Sequence, residues 1–127
     1  MILVDSSVWI DHLRGREAAL VGLLEAGQVL AHPFVIGELA LGGLRQRDLI
    51  LGALRDLPQA VVAGDDEVFR FIEQQSLFGL GIGYVDAHLL AAVRLTPGAS
   101  LWTRDKRLRT VAGRLSLAVP EGVKDQS

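Results

Sequence analysis

Five short runs rich in valine, leucine and alanine, at residues 2–4, 28–31, 60–63, 100–103 and 116–119, alternate with longer segments of helical character. No other feature of the chain limits its fold so tightly. The runs do not alternate cleanly between apolar and polar residues, as expected for strands buried on both faces. Helices are expected over 8–13, 17–26, 34–44, 49–57, 66–78, 85–95 and 106–112. Pro33 suits a helix start, Asp65, Asp66 and Glu67 suit an N-terminal dipole, and Thr96-Pro97-Gly98 is a stop. Strand–helix alternation predicts an α/β sandwich of three layers, with a mainly parallel central sheet of about five short strands flanked by helices. At 127 residues the chain is long enough to bury a core as one domain. Its expected bounds are 1–120, followed by a loose tail at 121–127.

Composition narrows the function classes. Hydrophobic residues make up 50% of the chain, yet no stretch approaches the roughly 18 consecutive apolar residues of a membrane span. Membrane association is therefore not expected, and the start MILVD lacks the features of a secretion signal. With no cysteine there is no disulfide framework, which suits a cytoplasmic location. The apolar surplus predicts surface buried against another chain, as a homodimer, a tight partner complex or both. Trp9, Leu13 and Leu41 are candidates for such contacts, although apolar residues more often belong to the core. Net charge is −2, so the whole molecule does not announce a nucleic-acid binder. The stretch TRDKRLRT nevertheless gathers Arg104, Lys106, Arg107 and Arg109 around Asp105.

Four acids sit where a carboxylate is unexpected. Asp5 ends the apolar run Ile2-Leu3-Val4, and Asp105 follows the run 100–103. Both positions lie at the carboxyl ends of strands, the edge where open parallel sheets place their functional crevice. Glu38 is the only charge in PFVIGELALGGL, with no lysine or arginine within a helical turn, and burying it there without a partner would be costly. Asp86 enters the apolar helix of GLGIGYVDAHLLAAV. Each has a plain alternative: a helix cap for Asp5, an edge position reaching solvent for Glu38, and first-turn placement for Asp86. Together, four carboxylates at one sheet edge would repel one another. A hard divalent cation, magnesium or manganese, resolves that repulsion and binds oxygen ligands and phosphate. The chemistry suggested is metal-assisted hydrolysis of a phosphodiester.

Other acid-dependent or nucleotide-binding sites demand patterns that are missing. An aspartyl-nucleophile phosphatase would want Asp-x-Asp where Asp5-Ser6-Ser7 stands. A phosphoacceptor domain would want an acid after the third run, which ends at Ala63-Gly64. There is no Walker loop, GLGIG lacks dinucleotide-binding spacing, and His12, His32 and His88 have no zinc-like spacing.

With these residues in place, the chain resembles the PIN-domain ribonucleases, in particular the VapC-type toxins of bacterial toxin–antitoxin pairs. Four pieces carry the resemblance: MILVDSSVWID, the acid of VIGELALG, the acid of GIGYVDAHLLAA, and LWTRDKRL. It covers essentially the whole chain and implies a PIN-like sandwich. It also implies that Asp5, Glu38, Asp86 and Asp105 are catalytic and hold magnesium or manganese. Ser6 and Thr103 would support these acids or position water. The implied activity is cleavage of structured RNA, often tRNA or ribosomal RNA, by a homodimeric endoribonuclease that a cognate VapB antitoxin obstructs. Arg104, Lys106 and Arg107 would then neutralise the RNA backbone. Leu108 stands where many relatives have an aromatic residue. Two other readings compete: a non-catalytic PIN-like module that holds RNA or docks a protein, and a metal-dependent nuclease directed at DNA.

Overall fold

The computed structural model describes residues 1–120, so the tail expected at 121–127 lies outside the described residues. Strand β1 (Ile2–Val4) is buried along its whole length. It runs parallel between β2 (Val29–Leu30) and β3 (Ser100–Trp102), pairing Ile2 with Val29 on one side and with Ser100 on the other. Burial on both faces explains why these runs carry no polar alternation.

Among the described residues three strands form where five were expected. In place of the remaining two there are single parallel bridges, Gln59, just ahead of the run at 60–63, to Ala31 and Ala118 to Leu101, at opposite edges of the sheet. The first bridge cannot extend into a ladder. Ala31 donates to the Pro58 carbonyl and accepts from the Ala60 amide, but the next rung would need an N–H from residue 33, and that residue is Pro33, where a helix begins.

Among the described residues seven helices complete the α/β sandwich: α1 (Ser6–Gly15), α2 (Ala18–Glu25), α3 (Pro33–Ala40), α4 (Arg47–Asp56), α5 (Asp65–Gln74), α6 (Tyr84–Leu95) and α7 (Lys106–Arg114). Helix α1 packs on α3, α3 on α4, α5 on α6, and α6 on β3. The helix expected over 34–44 is shorter, ending at Ala40 before Gly42-Gly43, and α4 starts anew after Gln46 in the left-handed region at φ 52°. Residues 87–93 of α6 are all buried, which is why that helix shows no polar stripe. Trp9 joins this core, whereas Leu13 and Leu41 remain exposed. Among the described residues no helix is long and apolar enough to cross a membrane.

Candidate active site

Parallel strand direction puts the ends of β1 and β3 on one edge, and the chain leaves each through an aspartate. Asp5 stands at the start of α1, but its side chain makes no cap hydrogen bond. Its Oδ2 instead accepts from the Ser7 hydroxyl at 2.7 Å and from the Thr103 hydroxyl at 2.8 Å. Only 6% of Asp5 is exposed. A carboxylate so enclosed needs compensation, and among the described residues no lysine, arginine or histidine pairs with it.

The other three acids are carried by helices. Glu38 lies on α3 and accepts from the Ser6 hydroxyl at 3.2 Å. It is exposed, not enclosed by the apolar faces of its helix. That corrects the expectation of a deeply buried charge, because α3 turns the Glu38 position outward while Val35, Ile36 and Leu39 face the core. Asp86 occupies the first turn of α6, where Oδ2 accepts from the Gly83 amide at 3.0 Å. Asp105 caps α7, with Oδ1 accepting from the Leu108 amide at 2.9 Å.

Glu38 and Asp86 feel the charge of the other acids. Partial burial raises the Glu38 pKa above the ordinary carboxylate range, against the lowering effect of Ser6, and the charges of Asp5 and Asp86 raise it further. Asp86 is raised likewise, first by burial and then by Asp5 and Asp105, against the bond from Gly83. These acids therefore share one electrostatic neighbourhood. Among the described residues they do not form a closed cage: no group of three His, Cys, Asp or Glu side chains is drawn together tightly enough to enclose an ion.

The hydroxyl groups divide their tasks in a way the sequence does not display. Thr103 reaches Asp5 and also accepts from the Asp105 amide at 3.1 Å, tying two acids to one oxygen. Ser6 serves Glu38. Ser7, which the sequence does not single out, binds Asp5 and accepts from the Arg104 amide at 3.0 Å. The only signal available for it was its hydroxyl next to Ser6.

The three basic residues assigned to RNA contact also differ. Arg104 gives its guanidinium to Asp11 at 2.7 Å and to Glu17 at 2.6 Å, bracing the end of β3 against α1 and the start of α2. Its charge is largely spent within the protein. Lys106 and Arg107 are exposed on α7 and join no ion pair among the described residues. His88 is buried beside the acids without facing them: its Nε2 lies 3.1 Å from Asp65 Oδ1.

An acid-rich strand edge of this kind defines a class, and the comparisons agree. The PIN domain family is matched over residues 2–114. Ribonuclease VapC32 of Mycobacterium tuberculosis, from strain CDC 1551 / Oshkosh, is 50% identical over 123 residues, spanning 97% of this chain and 99% of the relative. The same figures hold for Ribonuclease VapC32 of strain ATCC 25618 / H37Rv, 50% over 123 residues. The chain belongs to the PIN-domain family, in its VapC-type branch.

Proposed function

We propose that this protein is the toxin of a toxin–antitoxin pair and works as a magnesium- or manganese-dependent endoribonuclease. The observation that carries the reading is Asp5: a buried carboxylate with no cationic partner among the described residues, its charge adding to that of Glu38 and Asp86. The donor set fits a hard divalent ion, being all carboxylate oxygen. An open arrangement also suits an ion that keeps several of its waters. Asp5, Glu38, Asp86 and Asp105 would hold it, directly or through water. Bound there, it supplies a water of lowered pKa and stabilises charge on the phosphate.

The protein's own contribution is orientation. Ser7 and Thr103 fix one oxygen of Asp5 and leave Oδ1 free of hydrogen bonds from the described residues. The Leu108 amide does the same for Asp105, engaging Oδ1 only. Lys106 and Arg107 neutralise backbone phosphate at the rim, and Arg104, already paired, is the least available of the three. The substrate is structured RNA, with tRNA or ribosomal RNA the expected kind, and the setting is the cytoplasm.

A VapB-type antitoxin would block the site. A groove of about 650 Å³ between α1, α3 and α4 has Glu38 in its wall, with Ile10, Leu13 and Leu44 as apolar lining. A bound antitoxin segment would cover both the groove and the acid. The exposed apolar residues on other faces, Phe69 and Phe78 among them, leave room for a homodimer contact.

The test is cleavage of RNA and of DNA of the same sequence with added magnesium or manganese, comparing wild type with Asp5→Asn and Glu38→Gln. RNA should be cut and DNA spared, and each variant should lose at least about 100-fold in rate, the scale of one lost electrostatic contact in catalysis. Variants that fold and cut at the wild-type rate would refute the assignment. Equal cleavage of DNA would favour the DNA-directed reading, and absence of metal binding at millimolar ion would favour a docking module.

A further inference from the structure

Helix α7 holds a second feature that the acid pocket does not use. A cavity of about 270 Å³ lies along it, lined by Leu80, Lys106, Arg107, Thr110, Val111 and Arg114. Three of these six side chains are cations, and among the described residues none pairs with a carboxylate. Like charges gathered around one depression repel unless an anion lies between them. The rest of the lining is one hydroxyl and an apolar floor, a surface suited to an anion carried on a less polar chain.

The cavity is also placed next to the acids. Its first cation, Lys106, follows Asp105 directly. The Arg107 side chain lies over Gly81, in the loop that leads to Asp86. A Cβ built on Gly81 would stand 2.8 Å from Arg107 Nη1 and 2.9 Å from Cδ, so the absent side chain is what admits the arginine. At the far end, Arg114 is anchored by a 3.0 Å hydrogen bond from Nη2 to the Gln75 carbonyl. That bond leaves its charge unneutralised. From Lys106 to Arg114 the helix rises about 12 Å, long enough to follow a strand beyond a single nucleotide.

We propose that this cavity is a backbone subsite of the RNA substrate, in which Lys106, Arg107 and Arg114 bind successive phosphates on the strand leading away from the cut. Thr110, whose hydroxyl already donates to the Lys106 carbonyl at 2.9 Å, can accept from a ribose hydroxyl. The assignment of Arg114 and Thr110 rests on the ribonuclease reading and extends it. The strand would leave the acid pocket at Asp105 and run along α7, so affinity comes from α7 while the acids, which repel phosphate, are left to the chemistry.

Counterion release gives a quantitative test. Binding of a fluorescent single-stranded RNA is measured in EDTA, which suppresses cleavage, over a series of salt concentrations. Each phosphate contact contributes a slope of roughly −0.7 in log K against log salt. Lys106→Gln, Arg107→Gln and Arg114→Gln should each flatten the slope by about that amount and weaken binding several-fold at low salt. Arg55→Gln, on α4, should change neither. Arg114→Lys keeps the charge and should keep the slope, which guards against a folding defect at that position. Wild-type slopes in all three glutamine variants, with RNA still cleaved in magnesium, would overturn the subsite and leave the nuclease reading standing. Wild-type protein that neither binds nor cuts RNA would remove both.

Discussion

At Asp5 two hydroxyls, from Ser7 at 2.7 Å and Thr103 at 2.8 Å, replace the helix-cap bond that an aspartate in this position would ordinarily make. Ser7 also satisfies the Arg104 amide, so its removal strips two partly buried groups of a partner. Ser7→Ala should lower stability by about 1–3 kcal/mol. Ser6→Ala, which loses one exposed bond of 3.2 Å, should cost less than about 1 kcal/mol. Urea midpoints for the two variants check the ranking, and an equal loss would contradict it. This distinction was not legible in the sequence. Adjacent residues on a helix point about 100° apart, and only the phase of α1 against β3 decides which serine meets Asp5. The acids themselves could be read, because a carboxylate at a strand end or in an apolar helix is conspicuous. The apolar run around Glu38 overstates its burial: the side chain is exposed, and partial burial followed by the charges of Asp5 and Asp86 raises its pKa.

Among the elements, α5 and α6 are joined by one carboxylate. Asp65, the first residue of α5, accepts from the Tyr84 hydroxyl at 2.6 Å and faces His88 Nε2 at 3.1 Å. Both partners lie on α6, on either side of Asp86 in the chain, so this clamp steadies the turn that presents the acid. The Asp65 hydrogen bond, followed by partial burial and the Asp65 charge, pushes the Tyr84 pKa up to about 12. Tyr84 is the only tyrosine among 127 residues, so phenolate absorbance reports it alone. At pH 10, where an ordinary tyrosine is about half ionised, Tyr84 should remain protonated, and Asp65→Ala should restore ionisation there. Half ionisation in the wild type would show that the clamp is not formed. The sequence revealed the acidic start of α5 as a dipole effect and did not reveal the contact across to α6. Helix starts and stops were readable from Pro33 and Thr96-Pro97-Gly98. The outer strands were not, because how far a run pairs depends on its neighbour, and opposite the run at 60–63 the chain turns into α3 at Pro33, which has no N–H to carry the ladder on.

For the whole molecule, pH dependence follows from a histidine closed off from solvent. His32 is fully buried after β2 and caps α3 by accepting from the Phe34 amide at Nδ1, at 3.0 Å. An acceptor nitrogen must be unprotonated, and burial, reinforced by the charge of His88, lowers the pKa from 6.5 to about 4. The unfolded chain therefore binds a proton that the native state refuses, so this contribution to stability is present above pH 6.5 and is lost as pH falls toward 4. Between pH 7 and pH 5 the loss is about 2 kcal/mol. His12 shifts in the same direction, with burial the main cause. Glu38 and Asp86 act oppositely: their raised pKa values make the native state hold protons more firmly, so their repulsion is relieved on acidification. The total slope is a sum of these, and a variant is needed to isolate His32. His32→Asn keeps a favourable cap acceptor and removes the titrating ring. It should be less stable than wild type at pH 7, because the ring leaves a cavity beside Phe34. The gap should narrow by about 2 kcal/mol at pH 5. Urea denaturation at the two pH values measures it, and a gap that stays constant would mean that His32 titrates alike in the folded and unfolded chain.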